Sequence, residues 1–166
     1  MSEAVRDETI LDELEEEDSQ KDKYLTFIVD SECYGIEIRY VTEIIGLQKI
    51  TPVPEMPDFV RGIVNLRGKI IPVMDVRVRF NKPFREYMER TCIIVIDIHD
   101  LSIGLIVDSV TEVLSIPASE IVAPPDLNKR SNRFVMGIGK VGNEVKLLLD
   151  CEKLLNDDEA EQLLNN

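Results

Sequence analysis

The sequence predicts an all-β chain with short helices, drawn as two compact barrels side by side. Three observations carry this. Short apolar segments with two-residue alternation recur at intervals of roughly 8–12 residues, punctuated by Gly, Pro and Asn. The texture breaks at a polar run over 81–91 and then repeats. No apolar run approaches the roughly 20 residues that a membrane-crossing helix needs. The expected layout is an acidic leader over 1–22, expected to be disordered, a body over 23–155 and a C-terminal helix over 156–166. Within the body, subdomains of roughly 23–83 and 84–155 are expected, with strands free to cross between them.

The elements follow in order. In the leader, Ile10, Leu11 and Leu14 match one turn of amphipathic helix, but the run Glu15-Glu16-Glu17-Asp18 repels itself and favours a frayed tail. Over 24–29, Leu25, Phe27 and Val29 share a face. After a turn at Asp30-Ser31-Glu32, Tyr34, Ile36 and Ile38 do the same. Val41, Ile44 and Ile45 fall at helical spacing, which predicts a helical turn between strands, ended by Gly46. Pro52, Pro54 and Pro57 force an extended connection. Beyond the polar break, apolar runs over 92–97 and 102–108 flank a turn at His99-Asp100, and a further β run covers 110–116. Pro124-Pro125-Asp126 marks a loop. A last hairpin turns through Gly142-Asn143. Asn156 with Glu159 resembles a capping box, with Leu163 and Leu164 as an apolar edge for the closing helix.

The chain is organised around 57–80. There two apolar runs, 63–66 and 70–74, flank Arg67-Gly68-Lys69, a turn signal in which Gly68 takes a positive φ at no steric cost. This sets the Arg67 guanidinium at the tip of a hairpin on an Ile/Val scaffold. Such a fixed planar cation suits partner recognition. By itself the chemistry favours the plainer reading, a solvated surface hairpin.

Composition excludes several classes. The net charge of −13 repels phosphate backbones, and no basic face interleaved with aromatics is visible, so no nucleic acid is expected as a partner. The acidic N-terminus lacks the basic and apolar regions of a secretory signal, which leads to the expectation of a cytoplasmic protein without membrane insertion. Cys33, Cys92 and Cys151 are widely spaced in apolar sequence and read as reduced core thiols. No catalytic set assembles: the sole histidine, His99, sits in a turn, and CxxC, GxSxG and phosphate-loop motifs are absent. No enzyme, cofactor or metal is expected.

Gly62-Ile63-Val64-Asn65-Leu66-Arg67-Gly68-Lys69-Ile70-Ile71-Pro72-Val73 closely resembles the CheW family of bacterial chemotaxis coupling proteins. The likeness extends to Tyr34-Gly35-Ile36-Glu37-Ile38, Val41-Thr42-Glu43-Ile44, Ile50-Thr51-Pro52-Val53-Pro54 and Gly104-Leu105-Ile106-Val107-Asp108-Ser109-Val110, and covers roughly 23–155. The resemblance implies two small five-stranded SH3-like β-barrels packed around a shared hydrophobic core. It also implies a non-enzymatic scaffold that bridges the cytoplasmic tip of methyl-accepting chemoreceptors to the regulatory domain of the histidine kinase CheA, with further CheW copies in rings, recruited to membrane-bound receptor arrays.

Carried over by position, the receptor groove is expected to be lined by Leu25, Ile38, Val41, Ile44 and Val110, with Glu43, Asn65, Arg67 and Gly68 at its edge. Ile121, Val122 and Leu127 match the ring-forming loop that contacts the kinase, with Val122 where family members carry a basic residue. The competing reading is a paired-barrel module that binds proline-rich or other peptides outside chemotaxis. It calls for an aromatic-lined groove, which a chain with no Trp and 5% aromatics supports weakly.

Overall fold

A computed structural model describes residues 20–125 and 133–156. In chain order the elements are β1 (Lys23–Val29), β2 (Glu32–Glu37), a 3-10 turn (Ile38–Tyr40), β3 (Val41–Gly46), β4 (Val60–Leu66), β5 (Lys69–Asp75) and α1 (Val76–Arg79). After the 81–91 strap come β6 (Cys92–Ile98), β7 (Leu101–Val107), β8 (Ser109–Ser115), a second 3-10 turn (Ala118–Glu120), β9 (Ile121–Val122), β10 (Val135–Val141), β11 (Glu144–Leu149) and α2 (Cys151–Asn156).

The strands form two sheets, in the orders β8-β1-β2-β11-β10-β9 and β3-β6-β7-β5-β4. One has the five strands expected; the other has a sixth, the two-residue β9. Each sheet takes strands from both sides of residue 83, so a cut there divides the sequence and not the sheets. Most neighbours are antiparallel. The parallel pairs are β5 with β7 and β2 with β11.

Alternation along the strands sorts the apolar residues into three cores. Leu25, Phe27 and Val29 of β1, Ile94, Ile96 and Ile98 of β6, and Leu105 and Val107 of β7 meet in one core shared by both sheets. The opposite faces of the second sheet contribute Ile93, Val95 and Ile106 to a core of their own with Val64, Ile71 and Val73. Tyr24, Ile116 and Leu148 fill the inside of the first sheet. β6 and β7 are therefore buried on both faces, which is why they read as unbroken apolar runs while β8 and β10 do not.

Two-residue turns join the hairpins. Asp30-Ser31 and His99-Asp100 both take positive φ, and so does the pair Arg67-Gly68, leaving Lys69 in β5 rather than in the turn. Such turns match the right-handed twist of the strands they join. Gly62 is required for another reason. Its φ is +144°, and a Cβ there would lie 2.2 Å from the Thr51 carbonyl oxygen. The close approach lets Thr51 and Ile63 exchange backbone hydrogen bonds of 2.9 Å each way, so the proline-rich connection caps the outer edge of β4.

The segment expected to make a helical turn over 39–45 is mostly strand. The 3-10 turn ends at Tyr40, and Val41–Gly46 pairs with β6. A bulge between Val41 and Glu43 inserts Thr42, whose hydroxyl donates to the Val95 carbonyl at 3.1 Å. The extra residue puts Val41 opposite Ile96 and Ile44 opposite Ile94, both on the shared-core face. A bulged strand thus reproduces the three-residue spacing of a helix. The closing helix also starts earlier than expected. Asp150 caps it, its carboxylate accepting from Lys153 N–H at 3.2 Å, and Asn156 lies inside α2 and not at its start. The remainder of the helix expected over 156–166 lies outside the described residues, as do residues 1–19 of the leader.

Charged side chains fasten the crossings between sheets. Asp108 is the single residue between β7 and β8, where the chain passes from one sheet to the other. The buried Arg77 in α1 donates through Nη2 to the Asp108 carboxylate and through Nη1 to Asp30 at 2.9 Å. Asp30 also accepts from Lys82 Nζ at 3.0 Å, and its own N–H donates to Asp108 at 2.9 Å. Lys82 first, and Arg77 with it, hold the Asp30 carboxyl below the ordinary carboxylate range. Further along α1, Arg79 is buried between the rings of Phe59 and Phe134, 4.4 and 4.6 Å from their centroids, and its Nε donates to the Leu154 carbonyl of α2 at 3.1 Å.

Two outcomes follow from these contacts. Arg77→Met keeps the aliphatic stem and leaves Asp30 and Asp108 without their shared cation, and is expected to cost about 2–4 kcal/mol in urea unfolding. The Cys151 thiol is pushed up to about 12, chiefly by burial and next by the negative charge of Glu37. In the unfolded chain it ionises near its ordinary value, so its contribution is whole below about pH 9 and declines as pH rises from there toward 12. The urea midpoint is expected to fall over that window, and less steeply in Cys151→Ala.

Candidate functional site

The hairpin tip expected to present Arg67 does so, held from both sides. Arg67 sits at φ 52° and Gly68 at φ 89°. A left-handed arginine is unfavourable by itself, and the Asn65 side chain offsets this: its Oδ1 accepts the Gly68 N–H at 2.8 Å and closes the turn from within. Beside it, Lys69 Nζ donates to Ser102 Oγ at 2.6 Å, which donates to Asp97 at 2.6 Å, pinning the base of the hairpin to β6 and β7. The Arg67 guanidinium, 70% exposed, reaches Glu43 of β3 with an Nη2–Oε2 distance of 2.5 Å. β3 and β4 are the two edges of their sheet, so this ion pair ties the edge strand β3 to the hairpin that carries the other edge. Being exposed, the pair is worth at most about 1 kcal/mol of stability; what it supplies is orientation.

The expected apolar residues separate into exposed, half-buried and buried. Ile44 is 45% exposed. Ile38, Val41 and Val110 are half-buried and pack on the margin of the shared core. Leu25 corrects the expectation that it lines an open groove: at 2% exposure it belongs to that core and supports the margin from beneath. Its cross-strand partner Val113, which the sequence reading missed, is 49% exposed.

The reason is a second bulge. Between the pairs Leu25↔Val113 and Phe27↔Val110, two residues of β8 oppose the single Thr26. The buried Thr26 hydroxyl donates to the Glu112 carbonyl at 2.7 Å and lies 2.5 Å from the Thr111 hydroxyl. Val110 and Val113 thereby face the same way although three residues apart. The Val-x-x-Val spacing was the available signal, hidden because strands ordinarily alternate.

Each sheet therefore ends in a bulged edge strand, β3 or β8, that turns two aliphatic residues toward the margin of one shared core. Apolar surface bordered by a fixed guanidinium suits an amphipathic helical partner. Glu43, Asn65, Arg67 and Gly68 form one cluster, and Ile44 adjoins it in sequence.

The residues expected at the kinase contact lie on another edge. Ile121 packs on the inner core of the first sheet, and Val122 is 40% exposed on β9, at the end of the strand order opposite β8. Leu127 lies outside the described residues. A cleft of about 470 Å³ beneath the 81–91 strap is lined by Asp75, Arg77, Tyr87, Thr91 and Asp108 among others. Its polar groups serve the fold: Asp75 accepts from Tyr87 at 2.8 Å and caps α1 through the N–H groups of Arg77 and Val78.

The turn yields a stability test. Asn65→Ala removes the side-chain acceptor of the Gly68 N–H and is expected to lower stability by about 1 kcal/mol, whereas Arg67→Ala is expected to change it by less than that in the same urea titration.

The comparisons with known proteins agree with this fold. The family model for the CheW-like domain matches residues 23–159. The chain is 37% identical over 138 residues to the chemotaxis protein CheW of Klebsiella aerogenes, covering 82% of this chain and 83% of that one. It is 32% identical over 141 residues to the chemotaxis protein CheW of Bacillus subtilis, covering 84% and 90%. The crystal structure of the scaffolding protein TtCheW from Thermoanaerobacter tengcongensis superposes with a TM-score of 0.77 at 36% identity, over 82% of this chain and 94% of that chain. The chain belongs to the CheW family.

Proposed function

We propose that this protein is a non-enzymatic adaptor of bacterial chemotaxis that holds the cytoplasmic tip of methyl-accepting chemoreceptors and the regulatory domain of the kinase CheA at the same time. The observation that carries the reading is the pair of bulged edge strands. They leave Val41, Ile44, Val110 and Val113 as accessible aliphatic surface over an otherwise closed core, and Arg67 is fixed beside them by Glu43 and the Asn65 turn. A helical receptor tip has the complementary form, an apolar stripe with polar flanks. Ile121 and Val122 on β9, with Leu127 further along the sequence, are the proposed kinase contact, and the same surfaces would serve copies of this chain in a ring.

The mechanism needs no bond chemistry. Binding both partners raises the local concentration of kinase at the receptor, and any difference in affinity for two receptor conformations is transmitted to the kinase as a coupling free energy. The place of action is the cytoplasm, at receptor arrays. Among the described residues no helix is long and apolar enough to cross a membrane.

Titration against a purified receptor signalling fragment and against a CheA regulatory domain tests this. Ile44→Asp places a charge on the apolar margin and is expected to weaken the receptor fragment more than tenfold with the kinase domain unaffected; Val122→Asp is expected to do the reverse. If folded Ile44→Asp binds the receptor fragment as the parent does, the assignment of the margin is wrong.

A further inference from the structure

Val110 and Val113 share one face only because of where the β8 bulge falls, and its place is not fixed by the ends of the strand. Two backbone hydrogen bonds anchor those ends. The Asp108 N–H donates to the Ile28 carbonyl at 3.0 Å, and the Ile116 N–H to the Asp22 carbonyl at 2.7 Å. Between them Ser109–Ser115 runs against Lys23–Ile28, one residue longer than its partner. One residue of β8 is therefore surplus wherever the bulge sits, and its position is left open.

Position decides the surface. Directly opposed residues of an antiparallel pair share a face, and a shift of one residue turns a side chain to the other face. With the bulge opposite Thr26, Val113 stands opposite Leu25 and Val110 opposite Phe27, two members of the shared core. A bulge at the Lys23 end would instead leave Glu112 opposite Leu25, a carboxylate on the margin in place of an aliphatic side chain. A bulge at the Ile28 end would leave Thr111 opposite Phe27, in the place of Val110. Apolar burial does not by itself exclude the first alternative: Val113 would then replace Leu114 against Tyr24 in the inner core of the first sheet, one aliphatic residue for another.

The hydroxyl of Thr26 distinguishes the three arrangements. Thr26 is fully buried. Its Oγ1 donates to the Glu112 carbonyl at 2.7 Å, accepts from the Glu112 N–H at 3.3 Å and lies 2.5 Å from the Thr111 hydroxyl, which donates to the Thr26 carbonyl at 3.0 Å. A bulge drops backbone groups out of the strand ladder, and polar groups shielded from water without a partner are costly. One side chain here serves both backbone groups of Glu112. Thr26 is also the only serine or threonine in Lys23–Ile28, so the bulge finds such a partner at this place and at no other along β1.

We propose that Thr26 is a positioning residue of the receptor surface: its hydroxyl pins the β8 bulge at the one place that displays Val110 and Val113 together. Being buried, it touches no partner and acts through β8. This rests on the receptor reading of the margin, and the test separates the two. Cross-strand NMR contacts of the full chain, and titrations with the receptor signalling fragment and the CheA regulatory domain, are compared for the parent, Thr26→Val, Thr26→Ser and Ile44→Asp. The parent is expected to show Leu25–Val113 and Phe27–Val110 contacts. Thr26→Val keeps the shape without the hydroxyl. It is expected to show mostly Leu25–Glu112 or Phe27–Thr111 contacts instead, and to bind the receptor fragment about tenfold more weakly, the effect of a competent arrangement held about a tenth of the time. Its binding of the kinase domain is expected to be unchanged. Thr26→Ser retains the hydroxyl and is expected to match the parent in both contacts and affinity. Should Thr26→Val not fold, Thr111→Val, at an exposed position, removes the paired hydroxyl and is expected to change the same contacts and weaken the receptor fragment several-fold. Parent contacts in the valine variants overturn the proposal whatever the affinities. So do changed contacts with parent affinity for the receptor fragment, when Ile44→Asp loses that affinity. Changed contacts with the receptor fragment bound equally by the parent, Thr26→Val and Ile44→Asp would uphold the pinned bulge and reject the receptor reading.

Discussion

The fold depends on the guanidinium of Arg77 at the place where the two sheets exchange strands. Asp108 marks the one-residue crossing from β7 to β8, and Asp30 the turn from β1 to β2; both bind the same buried cation. The Asp108 N–H also donates to the Ile28 carbonyl at 3.0 Å, so crossing and turn are joined through backbone as well. Apolar burial between the sheets is strong but does not by itself select one orientation, and these directional contacts do. Arg79 plays the corresponding part for α2, clasped by two phenylalanines and bonded to the Leu154 carbonyl.

Once the sheets are locked, what remains open follows from where each one stops. Strands buried on both faces, β6 and β7, occupy the centre, and the edges β3 and β8 border the shared core. Edge strands are a hazard because their backbone is unpaired on one side. Here each edge is bulged, which disrupts a flat pairing surface and rotates an additional aliphatic residue toward the core margin. The same device that discourages indiscriminate strand pairing thus creates specific apolar surface. A threonine at each bulge, Thr26 buried and Thr42 exposed, bonds its hydroxyl to a backbone carbonyl and holds the irregularity in place.

Much of this was legible in the sequence. Alternation placed Leu25, Phe27 and Val29 on one face, Gly142-Asn143 marked a turn, and so did His99-Asp100 between the apolar runs that form β6 and β7. The segment 57–80 gave both the family likeness and the hairpin that displays Arg67. What escaped depended on contacts distant in sequence. The spacing of Val41 and Ile44 suited a helix because nothing local distinguishes a bulged strand from a helical turn. Val113 was missed, and Leu25 taken for surface, because the register of β1 against β8 is set by residues some 85 positions apart. The role of Asn65 was visible only once Gly68 was seen to need its acceptor. Gly62 belongs to the family motif for a packing reason, the close approach of Thr51, that no composition rule reveals.

The most direct test of the central claim is hydrogen–deuterium exchange of the full chain with and without a saturating chemoreceptor signalling fragment. Slowed exchange is expected along Val41–Gly46 and in the 65–68 turn, with β9 unchanged. Slowed exchange confined to β9 and β10, with β3 and the turn exchanging as in the free protein, would contradict the assignment of the bulged margin as the receptor surface.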